Sequence, residues 1–264
     1  MRIALIVSYS GENYHGWQSQ REPIRTVQDE LTAAVNFVAN SPVKLICAGR
    51  TDSGVHATKQ VVHFDTESIR SQSAWVRGVN TYLSKGISVE EAITVPEEFD
   101  ARKSALSRRY IYLISNRKNP SPLMSQYFAH ESRLLNCDAM HEAGQNLLGE
   151  NDFTSFRASN CQSLSPMRNL MNLSVSRIKD IVLIDVTANA FLQHMVRNIA
   201  GALIEVGLNR KSRSWLKELL HKKNRNLAAR TASPNGLFLV DVTYPESMGI
   251  PVGPNSPHFF QLFV

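Results

Sequence analysis

Cysteine is scarce in this chain of 264 residues. There are three, Cys47, Cys137 and Cys161, far apart and without a C-x-x-C. That spacing excludes a disulfide framework and a structural zinc site of the finger or ribbon type, and it fits a reducing cytoplasm. Glycine and proline are modest, at 13 and 11 residues, too few for a collagen-like or low-complexity chain. No apolar run approaches the roughly 20 residues of a membrane span. The run Ile3–Val7 is too short for the apolar core of a signal peptide, no small-residue cleavage site follows it, and an Arg- and Ser-rich transit segment is missing. Secretion and membrane insertion are therefore not expected. What remains is the composition of a soluble globular protein, 43% apolar and 20% charged residues, in a chain long enough for two small domains or one large one.

The motifs of common cofactor enzymes are missing as well. G-x-x-x-x-G-K-[ST], G-x-G-x-x-G, G-x-S-x-G and H-E-x-x-H do not occur, which leaves no sign of a P-loop, a dinucleotide fold, a hydrolase elbow or a zincin helix. His56 and His63 flank an expected strand and read as structural or RNA-contacting residues rather than metal ligands. Charge, in contrast, is biased to one sign. The net charge is +6, and a basic balance favours polyanionic partners. Arg102, Lys103, Arg108, Arg109, Arg117 and Lys118 fall in one stretch without an acid, and residues 205–230 hold eight Lys/Arg against Glu205 and Glu218. One such run is usually a solvated face; two in a basic chain point towards nucleic acid.

Apolar patterning predicts strands at about 2–9, 43–48, 59–65, 108–115, 172–178, 181–187 and 237–244, with Lys179-Asp180 as a hairpin turn. Tyr110, Tyr112 and Ile114 share one face of the fourth strand by the period of two. Helical stripes run through Val27, Leu31, Val35 and Val38, through Trp75, Val79 and Tyr82, and through Met140, Ala143 and Leu147. The longest takes in Leu192, Met195, Val196, Ile199, Leu203 and Val206 and ends at Gly207, and a basic helix follows around Trp215, Leu219 and Leu220. Thr26 and Asp29 resemble a capping box. The order is that of two α+β units, 1–105 and 106–264, each an antiparallel sheet with helices on one face. The polar, Ser-rich stretch 158–166 reads as a surface loop.

One segment stands apart, Gly49-Arg50-Thr51-Asp52-Ser53-Gly54-Val55-His56-Ala57. It places a carboxylate on a glycine-bounded loop between two expected strands, two residues from an arginine. Most such Asp residues simply cap a turn. The Asp-Ser-Gly triplet also invites an aspartic protease, but that chemistry needs two carboxylates sharing a proton. A chain of this size should then carry a second Asp-Thr/Ser-Gly, and none exists.

The segment Gly49–Ala57 resembles the signature of the tRNA pseudouridine synthase A family, and five further ordered blocks continue the resemblance. These are Tyr14–Gln20; Phe99–Arg102 with Ser104-Ala105 and Arg109–Tyr112; Asp152–Arg157; Phe191-Leu192 with His194–Gly201; and Gly236-Leu237 with Val242–Tyr244. Two positions depart from the family pattern: Asn80 is followed by Thr81-Tyr82 where a Leu-Pro is usual, and Asn151 stands where a His is usual. Residues 245–264 lie outside the resemblance.

The resemblance implies two ferredoxin-like halves around a central cleft, the pseudouridine synthase fold. It implies an isomerase that converts uridine to pseudouridine at positions 38, 39 and 40 of the tRNA anticodon stem-loop. It also implies a cytoplasmic homodimer that needs no metal, nucleotide or redox cofactor. Asp52 matches the catalytic aspartate, whose work as nucleophile or base requires the charged form. Arg50 and Arg197 match arginines around that carboxylate. A guanidinium favours an ionised neighbour and can grip a flipped nucleotide. Tyr110 matches the active-site tyrosine, on which a flipped uracil can stack. Arg197, Gly201 and Glu205 lie one turn apart on the helix, and the small residue between them permits close backbone approach. The competing reading is a catalytically idle RNA-binding module on the same fold. A carboxylate facing a polyanion has no use in such a module, so Asp52 favours the enzyme.

Overall fold

The computed structural model describes residues 1–21 and 24–253. The chain forms two compact units, one of residues Met1–Arg108 together with Phe238 onward, the other Arg109–Leu237.

The first unit starts with β1 (Arg2–Tyr9), α1 (Val27–Ala39), β2 (Ile46–Cys47), β3 (His56–Asp65), α2 (Gln72–Tyr82) and β4 (Ile87–Val95). β1 is central and antiparallel to both β3 and β4. Its residues Ile3–Val7 are buried throughout, as expected of a strand covered on both faces. Thr26 caps α1, its hydroxyl accepting from Asp29 N at 3.2 Å, and Asn40 ends it in the left-handed conformation. α1 packs on α2, and α2 on β4. Asn80 fixes the register of β4, since its side-chain amide exchanges two 2.8 Å hydrogen bonds with the backbone of Val89.

The second unit holds β5 (Ser107–Ser115) from Arg109 onward, β6 (Ala129–His130), α3 (Cys137–Gln145), β7 (Gly149–Asp152), β8 (Met167–Ile178), β9 (Ile181–Ala188), α4 (Met195–Gly207) and α5 (Trp215–Lys222). β7, β8 and β9 form an antiparallel meander. Lys179-Asp180 closes the β8–β9 hairpin, with Ile178 opposite Ile181 and Lys179 at φ 53°. α3 packs against β8 and α4. The chain then gives β10 (Leu237–Thr243), which returns to the first unit and pairs with β3 in parallel, Phe238 opposite His56.

The mixed α+β class is as expected from the sequence, and the differences lie in its details. The units were expected to be contiguous, 1–105 and 106–264, but β10 lies beside β3. It reaches β3 after a long excursion rather than a hairpin, so it can run parallel, and β5–β6 is also a parallel pair. β4 escaped the pattern reading because Glu90 and Glu91 are both exposed and a bulge shifts the register opposite them, which destroys the period of two. Tyr82 is not core; it is 49% exposed and lies against the Phe37 ring at 3.9 Å. Among the described residues no helix is long and apolar enough to cross a membrane.

Candidate active site

Asp52 sits half-buried on the loop from β2 to β3. The loop turns on itself through Val55 N donating to Asp52 O at 3.1 Å. The segment after β1 lies over it as a strap. Trp17 N donates to Thr51 O at 3.0 Å, Gly11 N to His56 Nδ1 at 3.1 Å, and the Ser53 hydroxyl to Tyr14 O at 3.2 Å. This approach requires glycine at two strap positions. A Cβ on Gly11 would stand 2.2 Å from Val55 O. One on Gly16 would stand 2.7 Å from Thr51 O, on a residue at φ +88°, a conformation costly for any other residue. Tyr14, buried within the strap, donates its hydroxyl to Glu30 Oε2 at 3.0 Å and so ties the strap to α1.

Beneath the loop lies a buried polar floor. The Tyr9 hydroxyl pairs with Thr51 Oγ1 at 2.8 Å. Gln60, fully buried, donates to Gly49 O at 2.6 Å and to the Tyr9 hydroxyl at 3.4 Å. Burial pushes the Tyr9 phenol above its ordinary range, outweighing the hydrogen bonds from Thr51 and Gln60, so Tyr9 stays protonated. Burial likewise pushes the Cys47 thiol up to about 12, against the pull of Arg50 and Arg102. Cys47 is thus an unreactive thiol. Arg50 itself is exposed, on the same loop as Asp52.

The basic run 102–118 divides into structural and exposed members. Arg108 is buried and clips the loop from below, its Nη2 donating to Ala48 O at 2.9 Å and to Arg102 O at 2.5 Å. Arg109 pairs with Asp185, its Nε at 2.9 Å from Oδ1. Arg102, Lys103, Arg117 and Lys118 are exposed. His56 and His63 are buried and accept backbone amides, from Gly11 and Ala101, which is the structural role expected of them.

Tyr110 and Arg197 belong to the second unit. Tyr110 is 7% exposed on β5 and meets the Phe191 ring edge-on at 5.1 Å. Arg197 is half-buried on the first turn of α4, behind His194, which enters the helix at φ 63°. Its Nε donates to Ala232 O at 2.9 Å, and its backbone oxygen accepts from Ala232 N at 3.1 Å. Gly201 permits the close approach expected of it. A Cβ there would stand 2.2 Å from Arg230 O, so the chain 230–232 lies directly on α4. Asn198, fully buried, extends the clamp. It donates to Phe156 O at 2.7 Å and accepts from the Thr231 hydroxyl at 2.7 Å and from Arg225 Nη2 at 3.0 Å.

A family model for tRNA pseudouridine synthases matches residues 5–102 and 143–245. The chain belongs to this family.

Its relatives run the full length. The chain is 51% identical over 259 residues to tRNA pseudouridine synthase A of Aliivibrio salmonicida, covering 98% of each. It is 53% identical to that of Vibrio parahaemolyticus, again over 98% of each. The Haemophilus influenzae protein of that name is 49% identical over 261 residues, 99% of this chain and 97% of its own. Membership makes this chain one of a family of isomerases. Arg50, Asp52 and Arg197 fall inside the spans matched to the family, and Tyr110 falls between them.

The strap explains why one family block is where it is. Residues 14–20 include Gly16 and Trp17, which meet the backbone oxygen of Thr51 by close approach and by a hydrogen bond. Tyr9 and Gln60 were legible only as strand residues. A Gln directly before the apolar pair Val61-Val62 was the one signal that a buried polar partner exists there.

Proposed function

We propose that this chain isomerises uridine to pseudouridine at positions 38, 39 and 40 of the tRNA anticodon stem-loop, as a cytoplasmic homodimer, with Asp52 as its catalytic carboxylate. The reaction breaks the N1–C1′ bond, turns the uracil and forms a C5–C1′ bond, while the C5 proton is lost and N1 gains one. It is redox-neutral and needs no co-reactant. The protein must therefore supply a fixed carboxylate to act on ribose or base, a surface for the displaced uracil, and cations for the phosphates. Asp52 fits the first role. Tyr110, an aromatic kept upright by Phe191, fits the second, and Arg50 and Arg197 fit the third.

One observation carries the reading. Asp52 stands on a loop fixed by hydrogen bonds from a strap above and a polar floor below. Such fixation costs two glycines and several buried polar groups, more than a turn cap requires. It is what a preorganised catalytic group requires. The test is incubation of the purified protein with unmodified tRNA followed by pseudouridine mapping. Wild type converts uridines at 38–40. Asp52→Asn keeps tRNA affinity and loses at least about a hundredfold in rate, the low end of what a positioned acid–base group contributes. Conversion only at other tRNA sites would overturn the positional assignment. Binding without conversion by wild type would establish the idle RNA-binding module.

A further inference from the structure

The second unit carries an open groove of about 530 Å³ between α4 and the chain that leads to β10, and nothing above uses it. Its rim bears Arg210, Lys211 and Arg230, Trp215 forms a wall, and Glu205 lines it too. Ala228, Ala229 and Ala232 add small apolar side chains to its lining. We propose that this groove is a second contact for tRNA, taking backbone phosphates away from the target nucleotide. It rests on the tRNA reading above.

Three features suit it to that ligand. The first is net charge. Glu205 is neutralised by Arg210 at 3.0 Å, whereas Lys211 and Arg230 have no carboxylate partner among the described residues. Two uncompensated cations on one rim attract a polyanion. The second is fixation. The Lys211 ammonium rests 5.0 Å from the centre of the Trp215 ring, so the indole holds the charge at the rim by a cation–π contact. The backbone of Arg230 is seated on Gly201, and the same segment is tied to Arg197, Asn198 and Arg225. The third is the lining. Alanines leave room for ribose, whose apolar faces do not demand hydrogen-bond partners there. Phosphate contacts of this kind position a nucleic acid without reading its sequence.

The groove also extends the wall that carries Arg197, since Gly201 and Glu205 lie one and two turns further along α4. A strand held there would steady the RNA while the chemistry proceeds elsewhere.

The test compares three proteins, wild type, Lys211→Gln/Arg230→Gln, and Lys179→Asn. The last removes an exposed charge from the β8–β9 turn while supplying a residue at ease in the left-handed conformation. Affinity for unmodified tRNA is measured across a salt series, and single-turnover conversion at saturating enzyme. The double variant should bind about tenfold or more weakly near 0.1 M salt. Its log–log salt slope should be shallower by about 1.4–1.8, because two phosphates go unneutralised at about 0.7–0.9 each. Its rate at saturation should stay within twofold of wild type. Unchanged affinity and slope in the double variant would overturn the proposal, as would an equal loss per charge in Lys179→Asn. Failure of the functional reading looks different: wild type would bind tRNA without converting it, while the groove variants still lost affinity.

Discussion

The hydroxyl of Tyr9 and Oγ1 of Thr51 lie 2.8 Å apart beneath the loop, one residue before Asp52. Tyr9 ends β1, whose residues Ile3–Val7 are all buried, so this hydrogen bond couples the Asp52 loop directly to the core. Removing the phenol oxygen in Tyr9→Phe strands the buried Thr51 hydroxyl, and leaving such a group unpaired costs about 1–3 kcal/mol. Urea unfolding should show that loss. If the pair also positions Asp52, the single-turnover rate falls about tenfold while tRNA affinity is unchanged. Full activity in a destabilised Tyr9→Phe protein would reduce the pair to a packing feature.

Gly16 and Gly149 form a natural experiment. Both are at positive φ, +88° and +87°, but a Cβ on Gly16 meets Thr51 O at 2.7 Å and one on Gly149 meets nothing within 4 Å. Gly149→Ala should cost only the backbone conformation, about 1–2 kcal/mol. Gly16→Ala should cost clearly more and should lower activity, because the strap must lift from Thr51. Equal thermal shifts for the two variants would show that the strap yields freely.

Tyr110 should separate into ring and hydroxyl. Tyr110→Phe keeps the edge-on contact with Phe191 and any stacking on uracil, and so should retain tRNA affinity. Tyr110→Ala removes a buried ring, at about 3–5 kcal/mol of stability, and should lose affinity as well. Affinity has to be measured at a temperature where both variants are folded. Equal affinities would exclude stacking.

His63 predicts a pH dependence. Burial holds its imidazole below the ordinary value, reinforced by Arg2 and opposed by Asp100 and Asp65, and its Nδ1 accepts from Ala101 N at 3.0 Å. The folded state therefore favours the neutral ring, and the unfolded chain takes up the proton first. Stability is complete above the unfolded value of about 6.5 and falls as pH drops from there towards the depressed folded value. Urea midpoints at pH 7.5 and 5.5 should show the decline. His63→Asn, which offers an oxygen to the same amide, should flatten it, and an unaltered pH slope in that variant would assign the effect to other groups.

Legibility in the sequence tracked the physics of each element. Residues 27–39 and 195–207 were readable because their burial repeats at the helical period, and the 179–180 turn because two β-rich runs abut. β4 was hidden by its bulge, and β6 and β7 by their brevity. The loop around Asp52 was visible as a glycine-bounded carboxylate, but its meaning came from family resemblance. Tyr9 and Gln60, which hold it from below, act across 42 and 11 residues of sequence, a separation that no local pattern encodes. Arg108 misled for a related reason. A charge run reads as surface, and only the carbonyls of Ala48 and Arg102, brought close by folding, make that one guanidinium internal.

The return of β10 to β3 sets an order of completion during synthesis. The second unit is continuous in the chain, whereas the first lacks a strand until β10 has been made. The half that carries Asp52 thus begins first on the ribosome and finishes last. At about 5–20 residues per second, β3 waits roughly 9–36 s for its parallel neighbour. Over that interval its edge at His56 and Ala57 is a nascent liability, open to any passing strand, and the carboxylate on the loop just before it is not yet framed. A chain that stops at the start of β10 would hold the second unit complete and the Asp52-bearing unit one strand short, and it is expected to convert no uridine.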